Sequence, residues 1–289
     1  MPRQFDYAAP GNVEEAVALL EAHAGARVLA GGHDLLTQMK LRRLAPPFLV
    51  DLRKIEDLRG IVPGDDQIVI GAMTTCAQIA ADASLKAAGQ ALVEAADSIG
   101  DAQVRNCATI GGNLAYGDPA ADLPAALLVL EATIQVVGPR GPRAIAADRF
   151  FLGASTTALE PSEVITSVRF AATPGRVGSA YEKFRNPANG YPIVGVAAKV
   201  VRAPSGGMLT TCRLAVTGAT AHPQRLTIVE GLIAGKAQIP ETIAAACARA
   251  GEGLSLTTDI YASGEYRAHL TAVMAERALS RAMERAKAR

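Results

Sequence analysis

The apolar positions at the start of the chain change period before Leu52, and each change marks a new element. Val13, Val17, Leu20 and Ala24 fall on one helical face behind Asn12 and Glu15, which are spaced like a capping box, and Gly25 ends the run. Residues 27–30 then read as a short strand, Gly31-Gly32 as a turn followed by the apolar positions Leu35, Leu36 and Met39, and residues 48–52 as another strand. Together they predict a compact α/β unit. A second unit opens near Ile61 with a strand at 67–70, an alanine-rich helix running through Leu92 and Val93, and a loop from Gly100 to Pro119. Pro124 suits the first turn of a helix over 125–130. Residues 133–137 form a strand that ends in the turn 138–142, and residues 164–170 read as a closing strand.

Residues 171–178 combine turn formers with no apolar period and make the best linker, so the domain boundary is placed there. Beyond it lie β-rich segments at 179–184, 193–201 and 210–217, then helices from about Gln224, Glu241 and Glu265 onward. In the last helix Leu270, Val273, Met274 and Ala278 share a face, and Arg277, Arg281, Arg285 and Arg289 read as a solvated one. No internal repeat is visible.

Composition narrows the function. A chain of 289 residues with 49% apolar content suits two domains with sizeable cores. Its formal net charge of +1 sets up no field that gathers nucleic acid or an anionic membrane. Cys76, Cys107, Cys212 and Cys247 are far apart and contain no Cys-x-x-Cys pair, which argues against a zinc ribbon or an iron–sulfur loop and leaves each as a small buried residue. The isolated His23, His33, His222 and His269 suggest no metal cluster. No apolar run reaches the length of about 18 residues that a membrane span needs. The opening segment has no secretory signature, so a cytoplasmic protein is expected.

The candidate chemistry lies in glycine loops. Gly31-Gly32 follows a strand, and two consecutive glycines leave backbone N–H groups open to an anion; the same pair also suits an ordinary tight turn. The stretch Thr109-Ile-Gly-Gly-Asn113 adds a second such loop with a hydroxyl and an amide, and two anion nests suit a pyrophosphate better than one phosphate. Neither loop matches Gly-x-Gly-x-x-Gly. The segment from Gly231 to Lys236 is too short for a P-loop and continues with Ala237, so it reads as a helix end. Asp118 and Asp122 flank the proline-led helix as caps, or Asp122 accepts from a ribose hydroxyl. His33 either donates to phosphate or positions the turn.

At these loops the sequence resembles the FAD-binding medium subunits of the molybdenum hydroxylases (the xanthine oxidase family), of the carbon monoxide dehydrogenase medium chain type, with their aldehyde- and N-heterocycle-oxidising relatives. The resemblance rests on Ala30-Gly-Gly-His-Asp-Leu35, Val50-Asp-Leu-Arg53, Ile70-Gly-Ala-Met-Thr-Thr75, Gln103-Val-Arg105, Thr109-Ile-Gly-Gly-Asn113 and Gly117-Asp-Pro-Ala-Ala-Asp-Leu-Pro124. It continues through Tyr181-Glu-Lys-Phe-Arg185 and Glu265-Tyr-Arg267, so it spans nearly the whole chain.

The resemblance implies an α+β fold. A two-lobed FAD-binding domain of the vanillyl-alcohol-oxidase type is expected over residues 1–175, with lobes of about 1–60 and 61–175. A C-terminal α+β domain of a small antiparallel sheet and helices is expected over 179–289. It further implies that Val28, Leu29, Ala30, Gly31, Gly32, His33, Asp34 and Leu35, with Thr109, Ile110, Gly111, Gly112 and Asn113, hold the FAD pyrophosphate. Asp122 is expected at the adenosine, with Ile99 and Leu159 on the adenine side, Lys183 near the flavin and Tyr191 over one face of its ring. Asp34 departs from the Ser or Thr usual after the histidine and is expected to point away from the pyrophosphate or cap the next turn. The implied mechanism is electron relay. A large partner subunit oxidises substrate at a molybdenum cofactor, a small partner carries iron–sulfur clusters, and this chain's FAD serves an external acceptor, within a dimer of heterotrimers. The alternatives are a self-sufficient FAD oxidase or reductase and a scaffold whose glycine loops are only turns.

Overall fold

A computed structural model describes residues 2–173, 175–203, 208–236 and 239–287. The chain opens with β1 (Asp6–Ala8), α1 (Val13–Ala22), β2 (Arg27–Leu29), α2 (His33–Lys40) and β3 (Phe48–Asp51). β3 lies between β1 and β2, parallel to both, and all four of its residues are buried, as a central parallel strand requires. The expected cap of α1 forms with a shift of one partner. Asn12 Oδ1 accepts from Glu15 N at 2.8 Å, while the Glu15 carboxylate reaches back to the Gly11 amide at 2.9 Å.

The second lobe contains β4 (Ile61–Pro63), β5 (Gln67–Gly71), α3 (Cys76–Ala81), α4 (Ala83–Ala88), α5 (Gln90–Asp97), α6 (Ala102–Cys107), α7 (Ile110–Tyr116) and α8 (Leu123–Val129). It continues through β6 (Thr133–Gly138), β7 (Gly141–Ala146), the small hairpin β8 (Phe151–Gly153) and β9 (Thr156–Thr157), and β10 (Val164–Ala171). β10 closes this part in sequence but sits at the centre of its antiparallel sheet, in the order β4-β5-β10-β6-β7. The alanine-rich stretch is three short helices and not one. Asp82 Oδ1 caps a new start by accepting from Leu85 N at 2.9 Å, and Gly89 breaks the run again before α5. The expected loop from Gly100 to Pro119 holds two helices, because Asp101 and Thr109 each accept from the amide three residues on.

After β10 the chain enters β11 (Val177–Arg185), β12 (Pro192–Arg202), β13 (Leu209–Thr217) and β14 (Gln224–Arg225), an antiparallel sheet in sequence order. Val177 and Gly178, read as linker, begin the strand β11, and Pro174 of that stretch lies outside the described residues. The helices α9 (Thr227–Ile233), α10 (Pro240–Cys247) and α11 (Gly264–Lys287) follow, so Gln224 belongs to a strand and α9 starts later than expected. The segment from Gly231 is indeed a helix end, with Gly235 at a φ of +69°, and Ala237 lies outside the described residues. α11 crosses β11 closely enough that a Cβ on Gly178 would stand 1.9 Å from Ala282 O. Glycine is required there by close approach.

The two parts share a core. Tyr181, Ala197 and Ala215 of the C-terminal sheet join the same apolar cluster as α5, α8 and the second lobe. β11 is an edge strand, and α5 covers its edge: Tyr181 N donates to Glu94 Oε2 at 2.8 Å, and Ser179 Oγ accepts from Ala91 N at 3.1 Å. The arginines of α11 complete this seam. Arg281 pairs with Glu94 and Glu182, and Arg285 pairs with Glu94 and donates to Ser179 O at 2.6 Å. Those two are therefore tied across the seam while remaining part-exposed, Arg277 is exposed as expected, and Arg289 lies outside the described residues. Cys76, Cys212 and Cys247 are buried as expected, whereas Cys107 is exposed at the end of α6. Among the described residues no helix is long and apolar enough to cross a membrane.

Candidate functional site

The turn between β2 and α2 is built for a close approach. Gly32 takes φ of +74°, a left-handed conformation that favours glycine, and no side chain caps the start of α2. The amides of His33, Asp34 and Leu35 in that first turn are therefore open to an acceptor, with the positive end of the helix behind them. Val28 and Leu29 precede the turn on β2, where Leu29 is buried and Val28 packs against the core of the first lobe.

The Thr109–Asn113 stretch lies beside this turn. A Cβ on Gly31 would come within 2.0 Å of Cys107 O, and one on Gly112 would lie 3.6 Å from Ala30 Cβ. The two glycine pairs thus meet in space, but they differ in what they offer. Residues 109–113 are the cap and first turn of α7, and their amides are already used: Ile110 N donates to Thr74 O at 3.0 Å, Gly111 N to Ala72 O at 2.8 Å and Gly112 N to Thr109 Oγ1 at 3.2 Å. This corrects the expectation of two open backbone nests, since a threonine capping its own helix leaves one. What α7 adds is a side chain. Asn113 Oδ1 is buried and has no hydrogen-bond partner among the described residues, an orphan that a bound ligand's hydroxyl would satisfy.

Asp34, the departure from the expected motif, neither caps a turn nor pairs with a cation at hydrogen-bonding range among the described residues. It is half-buried in the first turn of α2, where burial raises its carboxyl above the usual range, His33 pulls it down and Asp118 raises it further. Tyr116 and Tyr191 sense the same carboxylates. Burial raises each phenol, and Asp34 and Asp118 add to the rise. Asp118 Oδ1 accepts from Ala120 N at 2.8 Å, so it holds the turn before α8 and does not cap the helix itself.

Asp122 also makes no cap. It is buried, and its carboxylate collects donors from two distant segments: Tyr181 Oη at 2.7 Å, Ser98 Oγ at 3.2 Å and Lys183 Nζ at 2.9 Å, all on Oδ1, with Lys183 also 3.1 Å from Oδ2. Burial pushes the Asp122 carboxyl up, and Lys183, Tyr181 and Ser98 pull it back. Burial likewise lowers the Lys183 ammonium while Asp122 raises it. Lys183 further donates to Ser98 O at 3.0 Å, and Arg185 donates to Gly100 O at 3.3 Å, so the far end of β11 closes over residues 98–100. Ile99 and Leu159 both pack against the core of the second lobe, the latter just after the β8–β9 hairpin that abuts Gly117. Tyr191 is held by the turn after β11, where its amide donates to Asn189 Oδ1 at 3.0 Å and its carbonyl accepts from Asn186 N at 2.8 Å.

Ser98 and Tyr116 were not singled out in the sequence, and Tyr181 entered only as part of a matching motif, with no role at the site. Tyr181 and Lys183 alternate on one strand and both reach Asp122, so strand alternation is the signal that would have found Tyr181. Ser98 and Tyr116 carry no comparable signal.

Residues 3–172 match the family described as the FAD binding domain in molybdopterin dehydrogenase, and residues 179–282 match the CO dehydrogenase flavoprotein C-terminal domain. The chain belongs to the FAD-binding medium subunits of the molybdenum hydroxylases. It is 38% identical over 286 residues to the carbon monoxide dehydrogenase medium chain of Hydrogenophaga pseudoflava, covering 99% of both chains. It is 32% identical to the 6-hydroxypseudooxynicotine dehydrogenase complex subunit alpha of Paenarthrobacter nicotinovorans, covering 99% of this chain and 97% of the relative. Among solved structures, the carbon monoxide dehydrogenase from Hydrogenophaga pseudoflava that lacks the Mo-pyranopterin moiety of its molybdenum cofactor contains a chain that superposes with a TM-score of 0.94 at 38% identity, covering 99% of each chain.

Members of this family are subunits of oxidoreductase complexes, and FAD is the cofactor. The α+β fold expected of a medium subunit is the fold observed. The residues present fit that cofactor on three counts: an uncapped helix start for phosphate, an orphaned buried amide for a hydroxyl, and a glycine pair whose missing side chains let the two walls touch.

Proposed function

We propose that this chain is the relay subunit of a heterotrimer whose large partner oxidises substrate at a molybdenum cofactor and whose small partner carries iron–sulfur clusters. Bound FAD would supply the redox chemistry that connects those clusters to an external acceptor. The chain's own residues bind and orient it. The open amides of His33, Asp34 and Leu35, after Val28, Leu29, Ala30, Gly31 and Gly32, face the pyrophosphate, and Thr109, Ile110, Gly111, Gly112 and Asn113 form the opposing wall with the Asn113 amide on a hydroxyl. Asp122 Oδ2 retains acceptor capacity for the adenosine side, which Ile99 and Leu159 border. Lys183 and Tyr191 bring the C-terminal part to the flavin.

The observation that carries this reading is the uncapped, left-handed start of α2 set directly against α7. The proposed division is into domains 1–175 and 179–289, and the proposed assembly is a cytoplasmic dimer of heterotrimers. The substrate class is carbon monoxide, an aldehyde or an N-heterocycle, and its choice belongs to the large partner. Purification of the native assembly tests the reading: the chain should co-purify with a molybdenum-containing large chain and an iron–sulfur small chain. A lone chain that oxidises a small organic substrate unaided would overturn it.

A further inference from the structure

Tyr181 crosses a space that the sequence keeps empty for it. Gly195 sits in the middle of β12, opposite Lys183, where glycine weakens a strand; a Cβ there would stand 2.1 Å from Tyr181 Oη and 3.1 Å from Thr217 Cγ2. Through that gap the phenol reaches Asp122 Oδ1 at 2.7 Å, with its ring buried in the shared core. From the next strand Thr217 Oγ1 donates to Ala121 O at 2.7 Å and lies 3.0 Å from Pro119 O, which fixes the segment that carries Asp122. Lys183 from β11 supplies the opposing charge. The C-terminal sheet thus sets the position and the ionisation of a carboxylate on the other part of the molecule.

We propose that Tyr181 is a positioning residue for the cofactor: its hydroxyl holds Asp122 ionised and correctly turned, so that FAD affinity depends on a side chain that does not itself touch FAD. This rests on the reading above that Asp122 faces the adenosine. A carboxylate buried this deeply stays charged only while its donors are in place, and Tyr181 is one of three, with Lys183 and Ser98. The other titratable groups that sense Asp122 are Cys76 from α3 and Tyr191 from the turn after β11. Both stay protonated across the neutral range, since burial raises each of them. Burial raises the Asp122 carboxyl, and among the described residues the β11 pair and Ser98 are what oppose it.

The test is FAD titration of the deflavinated full-length chain across pH, in the wild type, Tyr181→Phe, Asp122→Asn and the double variant. Tyr181→Phe and Asp122→Asn should each weaken FAD binding about ten-fold, the lower end for a hydrogen bond to a charged group, and the double variant should be no weaker than Asp122→Asn alone. In Tyr181→Phe the loss of affinity on acidification should begin at higher pH than in the wild type, and Asp122→Asn should abolish that limb. A tyrosine that served only packing would leave the pH profile in place and add its loss to that of Asp122→Asn. Additive losses, or wild-type affinity in Tyr181→Phe, overturn the proposal while leaving Asp122 at the cofactor. Wild-type affinity in Asp122→Asn overturns both that placement and the proposal.

Discussion

Lys183→Met isolates the charge that crosses the seam. The ammonium lies 2.9 Å from Asp122 Oδ1 with side-chain exposures of 6% and 5%, so solvent does little to screen the pair. Methionine keeps most of the volume and removes the charge, leaving Asp122 with Tyr181 and Ser98 as donors. Removing one partner of a buried pair costs about 3–5 kcal/mol, and the remaining donors place this case near the lower end, about 3 kcal/mol. At about 2–4 °C per kcal/mol for chains of this size class, the thermal midpoint should fall by roughly 6–12 °C.

The sign of the pH dependence follows from the carboxyl. Burial already raises the Asp122 carboxyl in the folded chain, and losing Lys183 removes the largest opposing influence, so its folded value rises further above the unfolded one. A carboxyl shifted in that direction costs no stability while both states are protonated and costs its full amount once pH exceeds the folded value. The gap between variant and wild type should therefore be widest at neutral pH and narrow as pH falls towards about 5. Differential scanning calorimetry of the deflavinated chains at both pH values reads this directly. A constant gap, or a wild-type midpoint in the variant, would refute the assignment of a buried ionised pair.

Two further substitutions separate structure from cofactor binding. Gly31→Ala should destabilise the chain with or without FAD, by about 2 kcal/mol or more in denaturant unfolding, because its Cβ meets the Cys107 carbonyl, which is backbone and cannot rotate away. Tyr191→Ala should retain FAD but change the flavin absorbance spectrum or its rate of oxidation by oxygen; an unaltered spectrum and rate would place Tyr191 away from the ring.

Much of the framework was legible in local patterns. Asn12 and Glu15 announced α1, the glycine pair marked the start of α2, and proline at the start of α8 did what proline does there. What misled was the assumption that glycines mean a loop. Thr109 is a helix cap, and Gly111 is small because its Cβ would lie 2.8 Å from Ala72 O, a packing demand with no trace in the local sequence. Asp82 and Gly89 likewise cut the alanine-rich run, although both residue types are known helix boundaries and could have been read as such.

The site's electrostatics were hidden for a different reason. Asp122 looked like a cap because caps are local, whereas its partner Lys183 stands 61 positions away and is brought to it by β11. Arg281 and Arg285 of α11 looked solvated because Glu94, which takes both, lies 187 and 191 positions away in sequence. Helical periodicity reveals which face of an element is apolar, but not which distant element will cover its charges.

The central claim is that the pyrophosphate of FAD lies on the open first turn of α2, against α7. Amide hydrogen exchange of the full-length chain with and without FAD tests it most directly. Deuterium uptake at His33, Asp34 and Leu35 should fall on FAD binding, since those amides would gain acceptors, while Ile110 and Gly111, already bonded to Thr74 and Ala72, should change little. Unchanged uptake at residues 33–35 with new protection at another helix start would contradict the account.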